Sequence, residues 1–315
     1  MTTLRYVASC FGLLAAAVAQ ADAADPIPAE TLVLHAPASG VGAARCAVRS
    51  DAWDASMREI TLQRSFLDDF ASFDPFEGPW TPHFDHGAYD DWRARTLVPN
   101  GEAQIYVDPG YAGAGDQPLG LNPFEVRNGV LRITADRTPG SLLPLLENRA
   151  FVSGLITSRQ SHLQQHGYFE IRARMPEGRG LWPAFWLHRV GQWPPEIDVF
   201  EVLAADPESV YVTTHWRQDG EDRHTGCRLP ADEAHKKFRL YGVLWTKTDI
   251  VFFLDREAVA AIEVKPEMDG PMYMMANLAV GGDWGGPPDQ TTPFPSAFEI
   301  DWIASWQFEG PPAIP

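Results

Sequence analysis

Short runs of β-branched and aromatic residues recur along the chain, and no long helical period interrupts them. Gly129-Val130-Leu131-Arg132-Ile133-Thr134-Ala135 follows an Asn-Gly turn signal, and Val210-Tyr211-Val212-Thr213-Thr214-His215-Trp216 is β-branched and aromatic. Phe238–Thr246 and Ile250–Asp255 read as a hairpin joined by Lys247-Thr248-Asp249, while Leu62–Phe70, Met272–Val280 and Ala297–Phe308 add further strands. The 27 prolines and 26 glycines fall mostly between these runs, as many short connections require. An all-β sandwich is therefore expected, with no internal repeat and no second folded domain.

The ends of the chain read differently. Arg5, the apolar stretch Tyr6–Ala19 and the small-x-small site Ala21-Asp22-Ala23 make residues 1–23 an export signal, with Ala17-Val18-Ala19 as an alternative cut. Val7-Ala8-Ser9-Cys10 superficially resembles a lipid-attachment box, but the apolar stretch mostly follows Cys10. Residues 24–60 read as a Pro/Ala-rich extension followed by an irregular segment, and 61–310 as one large domain. No other apolar run approaches the ~20 residues of a membrane span. A secreted or periplasmic monomer, free of the membrane after signal cleavage, is expected. Cys46 and Cys227 then remain, either as one disulfide pinning the extension to the loop around His224–Arg228 or as two unpaired thiols. The formal charge of −17 and the lack of a basic stripe exclude nucleic acid as partner and suit a neutral polysaccharide.

Glu196-Ile197-Asp198-Val199-Phe200-Glu201 puts three carboxylates on a segment otherwise built of strand-forming residues. Acidic residues on strands also mark solvated sheet faces, but Trp182, Trp186 and Trp193 precede these three, and indoles stack well on sugar rings. A strand alternates faces, so Glu196 and Asp198 share one while Glu201 would take the other. A bulge at Val199-Phe200 restores the parity. With ~3.3 Å rise per residue the two Glu backbones then sit roughly 13 Å apart, and converging side chains reach the about 5 Å separation of a retaining glycosidase. A helix is unsuitable, since about 100° per residue would splay the glutamates roughly 140° apart.

These residues resemble glycoside hydrolase family 16. Tyr168-Phe169-Glu170-Ile171-Arg172, Gly180-Leu181-Trp182-Pro183-Ala184-Phe185-Trp186-Leu187 and the carboxylate run agree with its motifs. Thr214-His215-Trp216, Tyr241–Thr246, Asn277–Gly282 and Ile300-Asp301-Trp302-Ile303 follow in order, so that the resemblance covers about residues 62–308. It implies a concanavalin-like jelly-roll β-sandwich with an open cleft on its concave sheet. Position by position it implies Glu196 as nucleophile, Glu201 as acid/base and Asp198 as the carboxylate between them.

For the substrate, Trp182, Trp193 and Trp284 are stacking candidates, and His215 lies where the family's cleft-facing strand follows the catalytic one. Asn100 and Glu102 resemble positions lining the non-reducing side, although Asn100-Gly101 also reads as a plain turn. Asn277 interrupts an apolar strand, either to reach a ligand or to satisfy a core partner. No His/Cys cluster has zinc spacing. The family often carries one structural calcium ion, for which Asp301 occupies the matching position, and no cofactor is required. The E-x-D-x-x-E form resembles the laminarinase-like branch, yet Leu155 stands where many β-1,3-glucanases have Arg. The chain is closer to bacterial β-glycanases that trim exopolysaccharides, so an endo-β-glycanase on 1,3/1,4-linked chains is expected, with a non-catalytic lectin-like module or a transglycosylase as alternatives.

Overall fold

The computed structural model describes residues 27–37, 45–46 and 57–309; the export signal expected at 1–23 lies outside the described residues. In chain order the strands are β1 (Thr31–Pro37), β2 (Arg45–Cys46), β3 (Met57–Asp68), β4 (Gln104–Tyr106), β5 (Phe124–Arg127), β6 (Val130–Arg137), β7 (Phe151–Ser153), β8 (Leu155–Thr157) and β9 (Gly167–Arg174). They continue with β10 (Leu181–Arg189), β11 (Glu196–Glu201), β12 (Ser209–Gln218), β13 (Glu221–Pro230), β14 (Arg239–Trp245), β15 (Asp249–Leu254), β16 (Glu257–Glu263), β17 (Met272–Val280) and β18 (Ser296–Phe308). A six-stranded sheet runs β13-β12-β11-β10-β17-β8, and a 12-stranded sheet is organised around β16-β15-β14-β9-β18-β6. The two face each other as a jelly-roll β-sandwich.

Alternation along each strand builds the core between the sheets. Phe169, Ile171, Val243 and Ile303 from the large sheet meet Phe185, Leu187, Ile197, Phe200, Met274 and Leu278 from the small one. The intervening large-sheet residues Tyr168, Leu244, Phe253, Ala304 and Trp306 point the other way and join a second apolar cluster with Leu32, Leu34 and Ala36. That cluster corrects the reading of residues 24–60 as an extension of the domain. Strand β1 pairs in register with β3, from Thr31 opposite Gln63 to Pro37 opposite Met57, and covers the outer face of the large sheet.

The segment around His224–Arg228, expected as a loop, is the edge strand β13, paired with β12 along its whole length. Its outward residues are charged or polar, which suits an exposed edge. Cys227, on this strand, is disulfide-bonded, and the backbone of β2, which contains Cys46, runs beside β13. No helix among the described residues is long and apolar enough to cross a membrane.

Candidate active site

The carboxylates sit on a central strand of the small sheet, and they share a face because β11 contains the bulge that parity requires. On one side Glu196, Asp198, Phe200 and Glu201 lie opposite His188, Trp186, Phe185 and Ala184 of β10, so Val199 has no counterpart. On the other side Asp198 faces Thr213 and Glu201 faces Tyr211, so that β11 advances three residues while β12 advances two. Ile197, Val199 and Phe200 all enter the core. Glu196, Asp198 and Glu201 are thereby turned to the opposite face. Part of that face, over β10, β17 and β8, is covered by Phe84 and Tyr106 packed on Ala184, Trp186, Tyr273 and Met275. The part over β11 and β12 stays partly open, bordered by the exposed indoles of Trp193 and Trp284.

Each glutamate is held by an indole. Trp193 Nε1 donates to Oε2 of Glu196 and Trp182 Nε1 donates to Oε1 of Glu201, both at 3.1 Å. His215 Nε2 lies 3.7 Å from Glu196 Oε1 and 3.2 Å from Asp198 Oδ2. The shorter contact falls outside hydrogen-bond geometry, so Asp198 Oδ2 is buried with no hydrogen-bond partner. The contact is electrostatic only.

Burial dominates the titration of all three groups. It pushes Asp198 up to about 8. Burial and then the Asp198 charge push Glu196 and Glu201 well above the ordinary carboxylate range, against the opposing pull of His215 and of the Trp193 and Trp182 donors. Three such groups cannot all be charged near neutrality, so the cluster retains a proton there. That is the condition an acid and a nucleophile of the same residue type need.

The remaining sequence candidates separate into cleft residues and supports. Trp182 meets Trp284 edge-on at 5.2 Å, and Trp284 meets Tyr211 at 4.8 Å, so three aromatics gather on the Glu201 side. Trp193 lies tilted against His215, with ring centres 6.2 Å apart, on the Glu196 side. Glu102, expected on the cleft wall, is instead 3% exposed. Its carboxylate accepts from Leu97 N at 3.2 Å, Gln104 Nε2 at 2.6 Å and Asn100 Nδ2 at 3.4 Å, and burial raises it to about 7. It is a strut inside the loop. Asn100 continues that support, its carbonyl accepting from Asp283 N at 2.8 Å beneath Trp284. A Cβ on Gly282, whose φ is +87°, would come within 3.2 Å of the Trp182 ring, so this turn needs glycine for two reasons.

Asn277 is a satisfied core partner: Oδ1 accepts from Trp186 Nε1 at 2.8 Å, and Nδ2 donates to the Tyr106 hydroxyl at 3.0 Å. Asp301 is paired through Oδ2 with Arg172 Nη1 at 2.7 Å. Tyr211 and Thr213 are absent from the sequence candidates, although alternation from His215 places both on its face. Trp186, grouped by sequence with Trp182 and Trp193, is instead buried and donates to Asn277.

The fold is that of the jelly-roll class of glycoside hydrolases. The chain belongs to glycosyl hydrolases family 16, whose family model matches residues 120–304. It is 36% identical to the endo-1,3-1,4-beta-glycanase ExsH of Rhizobium meliloti (strain 1021) over 258 residues, 81% of this chain and 54% of that protein. A beta-glucanase of Rhodothermus marinus is 29% identical over 259 residues, 73% of this chain and 84% of that protein. The solved laminarinase from Rhodothermus marinus aligns with a TM-score of 0.62 at 27% identity, covering 79% of this chain and 98% of the other. The chain spans about half the length of the Rhizobium relatives it matches.

Proposed function

We propose that the protein is a retaining endo-β-glycanase that cleaves β-1,3/1,4-linked glucan or a related bacterial exopolysaccharide by double displacement. The observation that carries this reading is the bulge that turns Glu196 and Glu201 to one face with Asp198 between them. Glu196 attacks the anomeric carbon while Glu201 protonates the departing glycosidic oxygen. The covalent glycosyl-enzyme is then opened by water, which gives its proton to Glu201, and the sugar leaves with its configuration retained. Asp198, beside both, opposes their simultaneous ionisation and keeps a proton within the cluster.

The linkage follows from relatives. The endo-1,3-1,4-beta-glycanases of Rhizobium meliloti support a mixed linkage. In this reading the protein acts outside the cytoplasm as a soluble monomer and needs no cofactor. A lectin-like module is disfavoured, because clustering three carboxylates at a sugar site has a cost that binding alone does not offset. Transglycosylation would show as acceptor-dependent lengthening of products.

The test combines variants with stereochemistry. Glu196→Gln and Glu201→Gln should each lower turnover of a mixed-linkage β-glucan by at least about 10²-fold with an unchanged circular dichroism spectrum. Proton NMR of the first products should show the β-anomer. Near-normal turnover in either variant, or initial release of the α-anomer, overturns the mechanism.

A further inference from the structure

His215 does more than border the cleft. Its Nε2 lies 3.7 Å from Glu196 Oε1 and 3.2 Å from Asp198 Oδ2, and the three ligand atoms all lie within 4.8 Å of one another. Zinc binds nitrogen and carboxylate oxygen at about 2.0–2.2 Å in tetrahedral geometry, which sets neighbouring ligand atoms roughly 3.4 Å apart. Two of the three separations bracket that spacing, and the third, between the two carboxylate oxygens and within 4.8 Å, has to shorten by side-chain rotation as a metal binds.

Two independent features point into the same space. The Asp198 side chain is 6% exposed, and its Oδ2 has no hydrogen-bond partner although it faces His215. Glu196 Oε2 is taken by Trp193, which leaves Oε1 as the oxygen on the His215 side. The ligands also come from rigid positions. Glu196 and Asp198 are alternate residues of β11, and His215 is directly opposite Glu196 on β12. Among the described residues no other group of three His, Cys, Asp or Glu side chains converges in this way.

The geometry points to a binding site for a zinc-class transition-metal dication on Glu196 Oε1, Asp198 Oδ2 and His215 Nε2, whose occupation blocks hydrolysis by engaging the nucleophile. An imidazole nitrogen with two carboxylates suits zinc, copper or nickel, whereas calcium and magnesium prefer all-oxygen sites. Three protein ligands leave the fourth position to water on the cleft side. The metal is an inhibitor in this scheme, since it occupies the lone pair that must attack the sugar. The site was not legible as a zinc motif because its ligands belong to two strands brought together by register.

Zinc binding is measured on the full chain by calorimetry, and cobalt binding by visible absorption, neither of which depends on glycanase activity. One equivalent of zinc should bind, millimolar magnesium should not compete, and cobalt should give an absorption spectrum that changes in His215→Asn. His215→Asn and Asp198→Asn should each weaken zinc binding at least tenfold while keeping the native circular dichroism spectrum; if either fails to fold, Glu196→Gln takes its place. Zinc should inhibit β-glucan hydrolysis reversibly, with recovery on addition of a chelator. Absence of stoichiometric zinc binding, or unchanged affinity in two correctly folded variants, overturns the site and leaves the hydrolytic mechanism untouched.

Discussion

One tryptophan donates to each glutamate of the pair, and the pH profile should report the two contacts separately. Glu196 must be ionised to attack, so its protonation sets the acid limb; Glu201 must start protonated, so its ionisation sets the alkaline limb. The Trp193 and Trp182 donors each favour the charged form of the carboxylate they contact. Removing a donor raises the pKa of its partner. Trp193→Phe should therefore move the acid limb of kcat toward higher pH with the alkaline limb in place, whereas Trp182→Phe should move the alkaline limb upward. Phenylalanine keeps an apolar ring for stacking, which separates the titration effect from loss of substrate contact. Limbs that stay fixed in both variants would show that these indoles do not tune the pair. At this scale the three carboxylates were legible, because folding alone gives an apolar strand little reason to hold three charges. Glu102 and Asn277 were less so. Asn277 interrupts an apolar run and so requires a partner, whereas Glu102 lies in a polar turn, and only coordinates reveal that the partners are Trp186 and Tyr106 for the first and Leu97, Asn100 and Gln104 for the second.

The bulge of β11 admits both Val199 and Phe200 to the core while Asp198 and Glu201 stay on the cleft face. Deleting Val199 would leave Glu-Ile-Asp-Phe-Glu, in which simple alternation keeps every carboxylate on the same face. That variant should fold and retain detectable hydrolysis. Its stability should fall by about 1–3 kcal/mol through loss of one buried valine side chain, measured by urea denaturation. A folded variant with no detectable hydrolysis would mean that the bulge sets the reach of Glu201 as well as its face. The bulge itself was legible, since parity demanded one extra residue between Asp198 and Glu201. Strand β13 was not. Glu221, Asp222, Arg223 and His224 are all exposed on it, and a solvated edge strand lacks the apolar alternation that marks a buried one. Tyr211 differs again, since it lies on a strand that was legible. Its place on the cleft face emerges only when alternation is carried back from His215 past Thr213.

Among the described residues the outer face of the large sheet is buried as well as the two facing surfaces, and it is closed by the first strand of the chain. Leu32, Leu34 and Ala36 alternate along β1, yet the Pro/Ala-rich surroundings obscure that pattern, and the surface they cover is assembled from β9, β14, β15 and β18. Such coverage is non-local and cannot be read from the segment alone. Further contacts secure it, as Trp306 Nε1 donates to Ala29 O at 3.0 Å and Arg64 N donates to Glu30 O at 2.7 Å. Leu34, at 1% exposure, is the most informative position to truncate. Leu34→Ala should cost about 2–4 kcal/mol, because the cluster around it is fixed by two pairs of strands and can collapse only partly into the space left behind. For a domain of this size that corresponds to a fall in Tm of roughly 4–15 °C. The cleft lies on the small sheet, on the other side of the intersheet core, about 10 Å per layer away. kcat and KM at low temperature should therefore match the parent protein while Tm falls. An unchanged Tm would mean that β1 does not cover the large sheet in solution, and a changed KM would mean that the two outer faces of the sandwich are coupled through its core.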